Sequence, residues 1–183
     1  MRHPDNSSLL TILSVWSLLW WSACDDPKKN EASPVQWQAQ APVGEGAAVY
    51  FSAGQYDHPR LVATISARGL ENVAGFALRL RIDPLKWRFV EFRPASAWEL
   101  RPRMAAAARD DLILLGIGVP ADTGGTAFSD SPVGTLVLDV LDASPADLSF
   151  VTEKSAVLDH LGQRLPDVSF SGGGLVPSGA AQP

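Results

Sequence analysis

At 183 residues the chain is long enough for one domain with a substantial core, and 46% hydrophobic residues argue against wholesale disorder. A net charge of −5 and a pI near 5.1 argue against a general nucleic-acid binder, which is normally basic. No apolar run reaches about 18 residues, so no ordinary transmembrane helix is expected.

The first segment reads as a targeting signal, residues 1–23. Arg2 and His3 form a thin positive region, and Leu9 to Trp21 form an apolar run of about 13 residues, the length of a signal core. It ends in Ser22-Ala23-Cys24, and Cys24 is the only cysteine in the chain. This arrangement resembles the lipobox of bacterial lipoproteins, although Trp21 stands where that family usually has leucine. The resemblance implies lipid attachment at Cys24 and a place in the bacterial cell envelope, on the periplasmic or outer-membrane face. In enteric bacteria an Asp after the cysteine, as at Asp25, resembles an inner-membrane retention signal. With its one thiol lipidated, the mature protein would hold by packing and without a disulfide.

Residues 24–44 are rich in Pro, Gln, Ala, Lys and Asn and read as a tether, stiffened at Pro27, Pro34 and Pro42. Trp37 lies within it, either as an isolated exposed ring or as a latch against the domain. Residues 45–176 carry strand signals, and residues 177–183 read as a disordered tail.

Ala47 to Ser52 is the first strand run, followed by a Gly54 to Pro59 loop. Leu61 to Phe92 organises the rest. Leu61, Ala63, Ile65 and Ala67 fall on one side of a first alternating run; Phe76, Leu78, Leu80 and Ile82 fall on one side of a second. That period of two is the mark of a strand. Gly69 and Asn72 tolerate positive φ between the runs, and Asp83-Pro84 stops the second. The apolar side needs a second sheet to cover it. Leu100 to Ala107 and Leu112 to Val119 read as a hairpin turning at Arg109-Asp110, despite four alanines that favour helix locally. Leu112 to Val119 is apolar on both faces, as in a central strand. After the Pro120 to Pro132 loop, Val133 to Leu141 alternates with Leu136, Leu138 and Val140 inward. Leu148 and Phe150 begin another strand, Asp159 to Gln163 turns, and Val168 and Phe170 belong to the last long strand. About nine short strands without an amphipathic helix predict an all-β sandwich.

No active site emerges. His58 and His160 sit in polar turn contexts and lack partners for a zinc site. No G-x-S-x-G elbow exists. Gly172-Gly173-Gly174 opens no helix that would bind phosphate, and reads as a backbone turn. Asp110-Asp111 fits a hairpin tip better than a glycosidase pair. Asp122 and Asp130 are the acids a Ca²⁺ site would draw on, but their spacing is not that of an EF-hand loop. Trp87 is expected in the core, while Trp98 and Tyr56 are candidates for exposed rings. No cofactor, no metal and no catalysis are expected.

The order of these motifs resembles the cohesin domain, the dockerin-binding module of cellulosomes, over roughly Glu45 to Val176. It is carried by Asn72 to Phe92 with its Asp83-Pro84 stop and Pro94 turn. Further support comes from the loop with Asp122, Gly124, Gly125 and Asp130 leading into Val133-Gly134-Thr135-Leu136, and from Val168-Ser169-Phe170 before the three glycines. The resemblance implies a nine-stranded jelly-roll β-sandwich related to carbohydrate-binding modules. It would have no catalytic site and would bind a protein partner on the sheet made of strands eight, three, six and five. Gly75 and Ala77 stand where the best-known relatives carry polar recognition residues. Arg79 and Arg81 continue that outward row, and Arg101 and Arg103 alternate in the same sense two strands away, about 10 Å across. The plain reading is that these arginines solvate an exposed sheet and pair with nearby acids. The functional reading is a partner-binding face for a dockerin-like or other acidic protein, on a module whose membrane contact is the lipid anchor alone. The alternative is carbohydrate binding, as an accessory in polysaccharide degradation.

Overall fold

The computed structural model describes residues 34–96, 98, 102–120 and 124–179. The expected signal, Cys24, Arg101, Asp122 and the end of the tail lie outside them. The first seven strands are β1 (Val35–Ala39), β2 (Ala48–Asp57), β3 (Arg60–Arg68), β4 (Leu70–Arg81), β5 (Trp87–Pro94), β6 (Arg103–Arg109) and β7 (Leu112–Gly118). There follow β8 (Thr126–Phe128), β9 (Ser131–Val140), β10 (Ala146–Phe150), β11 (Ala156–Asp159), β12 (Ser169–Ser171) and β13 (Gly173–Pro177). One sheet has the order β1-β13-β10-β4-β7-β6, with β8 and β11 also paired to β4; the other has the order β12-β2-β3-β9-β5. The two form an all-β sandwich around one core.

The alternation in Leu61 to Phe92 is realised residue by residue. Leu61, Ala63, Ile65, Ala67, Phe76, Leu78, Leu80 and Ile82 are all buried. The cover that this apolar side needs comes from within the stretch itself, because β3 lies in the five-stranded sheet and β4 in the larger one. Gly69, at φ 62°, carries the chain across between them. Asn72, at φ 54°, sits inside β4, where the register to β8 shifts between Leu70 and Val73. That bulge keeps Leu70, Val73 and Phe76 all buried although their spacing is not two.

Both ends of the domain differ from the expectation. Val35 to Ala39, placed within the tether, is a strand that pairs antiparallel with β13. Trp37 is a latch: its ring meets Phe51 edge-on at 5.4 Å, and a Cβ at Gly54 or Gly173 would collide with the indole. The expected Gly54 to Pro59 loop is mostly strand, since β2 continues to Asp57 and turns back through His58-Pro59. The last long strand is split between the sheets. β12 runs parallel to β2, and β13 pairs with β1 and β10 in the other sheet. The glycines are therefore not a turn. Gly172 marks the switch, 2.5 Å from the Leu148 oxygen for any added Cβ, and Gly173 and Gly174 lie in β13.

On the outer face of the smaller sheet, Arg60, Asp139 and Arg88 stand side by side on three strands. Arg60 Nη2 lies 2.9 Å from Asp139 Oδ1 and Arg88 Nη2 lies 2.6 Å from Oδ2. These bonds hold the Asp139 carboxyl below its usual range: Arg88 is the main cause, burial opposes it, and Arg60 reinforces it. A lowered folded value gives stability that is present above the unfolded value of about 3.9 and lost as pH falls through the folded value. Asp139→Asn is therefore expected to melt below wild type near neutrality, with the gap closing as pH falls from about 5 through and below the unfolded value. A gap that stays constant across that range in calorimetry would remove the carboxylate's charge as the cause. Toward the other end of the smaller sheet, the Tyr50 hydroxyl donates to Asp130 Oδ1, and burial, then this bond, pushes the phenol up to about 12.

Candidate partner-binding face

The outward face of the larger sheet is built by β11, β4, β7 and β6. Register fixes which residues reach it. Phe76, Leu78 and Leu80 pair with Ile117, Leu115 and Ile113, and all six are buried. The alternate residues must point the other way. They align in four rows across β4, β7 and β6: Gly75-Gly118-Arg103, Ala77-Gly116-Ala105, Arg79-Leu114-Ala107 and Arg81-Leu112-Arg109. On the far side of β4, Leu158 and Ala156 lie beside Gly75 and Ala77.

The middle of this face is low and apolar. A shallow depression is lined by Ala77, Arg79, Ala107, Leu114, Gly116 and Lys154, among others. Gly75 is buried, and a Cβ there would approach the Ile117 oxygen to 2.8 Å, so close strand packing explains its glycine. Ala77 is exposed.

Arg79, Arg81, Arg103 and Arg109 are all exposed. Arg79 is fixed through its backbone. Its N–H donates to the buried Ser155 Oγ at 3.1 Å, and its carbonyl accepts from the Val151 N–H at 2.8 Å. Arg81 Nε lies 3.8 Å from Asp111 Oδ2, and Arg109 Nε lies 3.7 Å from Asp110 Oδ2. These are exposed pairs of little energetic weight. Among the described residues, no ion pair involves Arg79 or Arg103.

β7 lies between the two arginine-bearing strands, as the expected arrangement requires, which sets them about 10 Å apart. The arginines do not form one cluster, however. Arg103 aligns with Gly75, four residues or about 14 Å along β4 from Arg79. Arg109 was not singled out from the sequence, yet it completes the row with Arg81. Continuing the alternation of Arg101 and Arg103 by three steps would have found it. The face thus has three arginines at one end, Arg103 at the other, and alanine, glycine and leucine between.

The two rings expected to be exposed, which a sugar-binding surface would need, are placed differently. Trp98 is buried, 6% exposed, with Nε1 donating to the Val133 carbonyl at 3.0 Å. Tyr56 is half-buried, and its hydroxyl pairs with His58 Nδ1 at 3.0 Å.

No protein-family model and no curated protein matches the chain. Solved structures do match. The second type II cohesin module from the adaptor scaffoldin ScaA of Acetivibrio cellulolyticus superposes with a TM-score of 0.58 at 10% identity, over 80% of this chain and 95% of that one. CaCohA2 from Clostridium acetobutylicum gives 0.57 at 12% identity, over 75% and 94%. The third cohesin of ScaC from Acetivibrio cellulolyticus, solved in complex with the ScaB dockerin, gives 0.55 at 14% identity, over 63% and 86%. The chain has the cohesin fold.

Proposed function

We propose that the chain is a non-catalytic protein-binding module that holds an acidic partner on the β11-β4-β7-β6 face. The observation that carries this reading is the composition of that face. Gly, Ala and Leu leave a flat centre that a partner can dry, and Arg79 and Arg103 stand on either side of it without an ion pair among the described residues. Arginine suits carboxylate recognition, and unpaired arginines bring a favourable charge term without a bond to break first. The match to cohesins, one of them solved with a dockerin bound, supports a protein as partner. Burial of Trp98 takes away one of the two rings that a carbohydrate platform would use.

The test is Arg79→Glu combined with Arg103→Glu. Both side chains are exposed, so the melt is expected to stay within a degree or two of wild type, while partner capture falls about tenfold or more and wild-type capture weakens as salt rises. Undiminished capture by the folded double variant would overturn the assignment of this face.

The module's attachment is part of the same reading: Cys24 carries lipid and fixes the protein to the cell envelope. Cys24→Ser is expected to move the protein from the detergent phase to the aqueous phase in Triton X-114 partitioning. Detergent-phase retention of the Ser variant would rule the anchor out. A single acyl chain is a marginal anchor, so the several chains of a mature bacterial lipoprotein matter to the result.

A further inference from the structure

The larger sheet ends on β6, and β6 is unlike every other strand. None of its seven residues is buried, and only Ala106 is even half-buried. Met104, Ala106 and Ala108 pair with the buried Ile117, Leu115 and Ile113, so by parity they belong to the inner face. Met104 is nevertheless 45% exposed. The larger sheet overhangs the sandwich by most of this strand: apart from Ala106, which packs against the core, its faces and its outer edge are left to solvent.

Such an edge is normally blunted by a short strand, a bulge or a proline. The other edges follow that rule. β12 has three residues, β1 has five, and β5 has a register shift between Phe89 and Glu91 and ends on Pro94. β6 pairs with β7 in unbroken register from Arg103 to Arg109 and contains no proline. Among the described residues, no backbone hydrogen bond beyond that ladder involves it. Alternate residues therefore present an N–H and a C=O outward along the whole strand.

We propose that β6 accepts an added strand: an extended segment of a partner protein, with acidic residues at both ends of a small or β-branched middle. The charges select this occupant. Arg103 and Arg109 bracket four alanines and Met104, about 20 Å apart along the strand. A second copy of the chain is disfavoured. Antiparallel pairing at full overlap sets Arg103 against Arg109 of the other copy, and parallel pairing sets each arginine beside its equal. Sliding the register to bring in Asp110 and Asp111 fails, because Asp110, at φ 53°, has already left the strand. An acidic-ended segment meets a positive charge at each end instead. Its side chains would lie beside the low alanines of β6, where small and β-branched residues fit the pleat. This site uses the edge of the sheet; it shares Arg103 and Arg109 with the outward face, whereas Arg79 and Arg81 lie two strands away on β4 and take no part in it.

The probe is an end-blocked peptide of seven residues, matching the length of β6, with alternating valine and threonine and a glutamate at each end. A lysine-ended version is the control. The glutamate peptide is expected to bind about tenfold tighter at low salt, with the gap narrowing as salt rises. It is also expected to slow hydrogen exchange at alternate amides between Arg103 and Arg109. Ala106→Pro and Ala107→Pro complete the test. Neighbouring residues alternate in direction, so one proline breaks the β7 ladder and the other removes only an outward N–H. The variant that keeps the wild-type melt is expected to lose the peptide. Arg79→Glu is expected to leave peptide binding unchanged, which separates this site from the sheet face. Equal affinity for the two peptides, protection on β5 or β1, or a peptide still bound by the well-folded proline variant would each overturn the proposal. So would dimerisation of the protein alone that this same variant abolishes, because the edge would then be a self-pairing surface.

Discussion

Replacing Trp98 with alanine is expected to lower the unfolding free energy by about 3–5 kcal/mol in urea denaturation. The indole is one corner of a three-ring cluster. It meets Phe76 at 5.8 Å and Phe128 at 5.4 Å, and those two meet each other at 5.3 Å, all edge-to-face. Phe76 belongs to β4 and Phe128 to β8, so removing the indole opens a cavity beside both strands. Trp98→Phe separates the ring from its N–H. It keeps most of the apolar contact but loses the donor to Val133, whose carbonyl still accepts from the Ala95 N–H at 3.1 Å. With that second bond left in place, the phenylalanine variant is expected to cost about 1 kcal/mol for the lost hydrogen bond. If Trp98→Ala melts like wild type, the ring is not packed in the core.

Trp98 also shows what the sequence could not supply. It follows the Pro94-Ala95-Ser96 turn, with no alternating neighbours from which to read a face, and an aromatic beside a turn is as compatible with solvent as with a core. Only the return of β8 and β9 beside it decides. Trp37 was legible in hindsight. Val35, Trp37 and Ala39 alternate with Gln36 and Gln38, but the surrounding prolines and glutamines hid a period-two pattern of five residues. At β13 the signal itself is missing, because Gly173 and Gly174 carry no side chains to alternate. Local pattern likewise cannot say that β3 and β4 belong to opposite sheets; each reads as a strand with one apolar side in either arrangement.

The residues of the proposed binding face were more legible than its geometry. Alternation alone sets Ala77, Arg79, Arg81 and Arg103 outward, and the hairpin at Asp110 sets β7 beside β6. What alternation does not contain is the offset between strands. Arg103 and Arg79 share a face, yet cross-strand register places them at its opposite ends. Register is a property of pairs of strands and has no counterpart in either strand's own sequence.

Leu80→Ala and Leu136→Ala are each expected to cost about 2–5 kcal/mol, and the two together test the sandwich from both sides. Leu80 lies in β4 between Ile113 of β7 and Phe150 of β10. Leu136 lies in β9 between Ala63 of β3 and Phe92 of β5. Both are fully buried, one in each sheet, so neither cavity can relax toward solvent. Their neighbours supply the control. Arg79 is exposed, and Arg79→Ala is expected to change stability by no more than about 0.5 kcal/mol. Thr135 is half-buried against Thr64 and Arg93 on the outer face, so Thr135→Ala is expected to cost about 0.2–1 kcal/mol through that cross-strand contact. A slip of one residue in β4 would drive Arg79 and Arg81 into the core and push Leu80 out. Chemical denaturation that found Arg79→Ala costlier than Leu80→Ala would show that slip, and with it the loss of the arginine rows on which the proposed binding face depends.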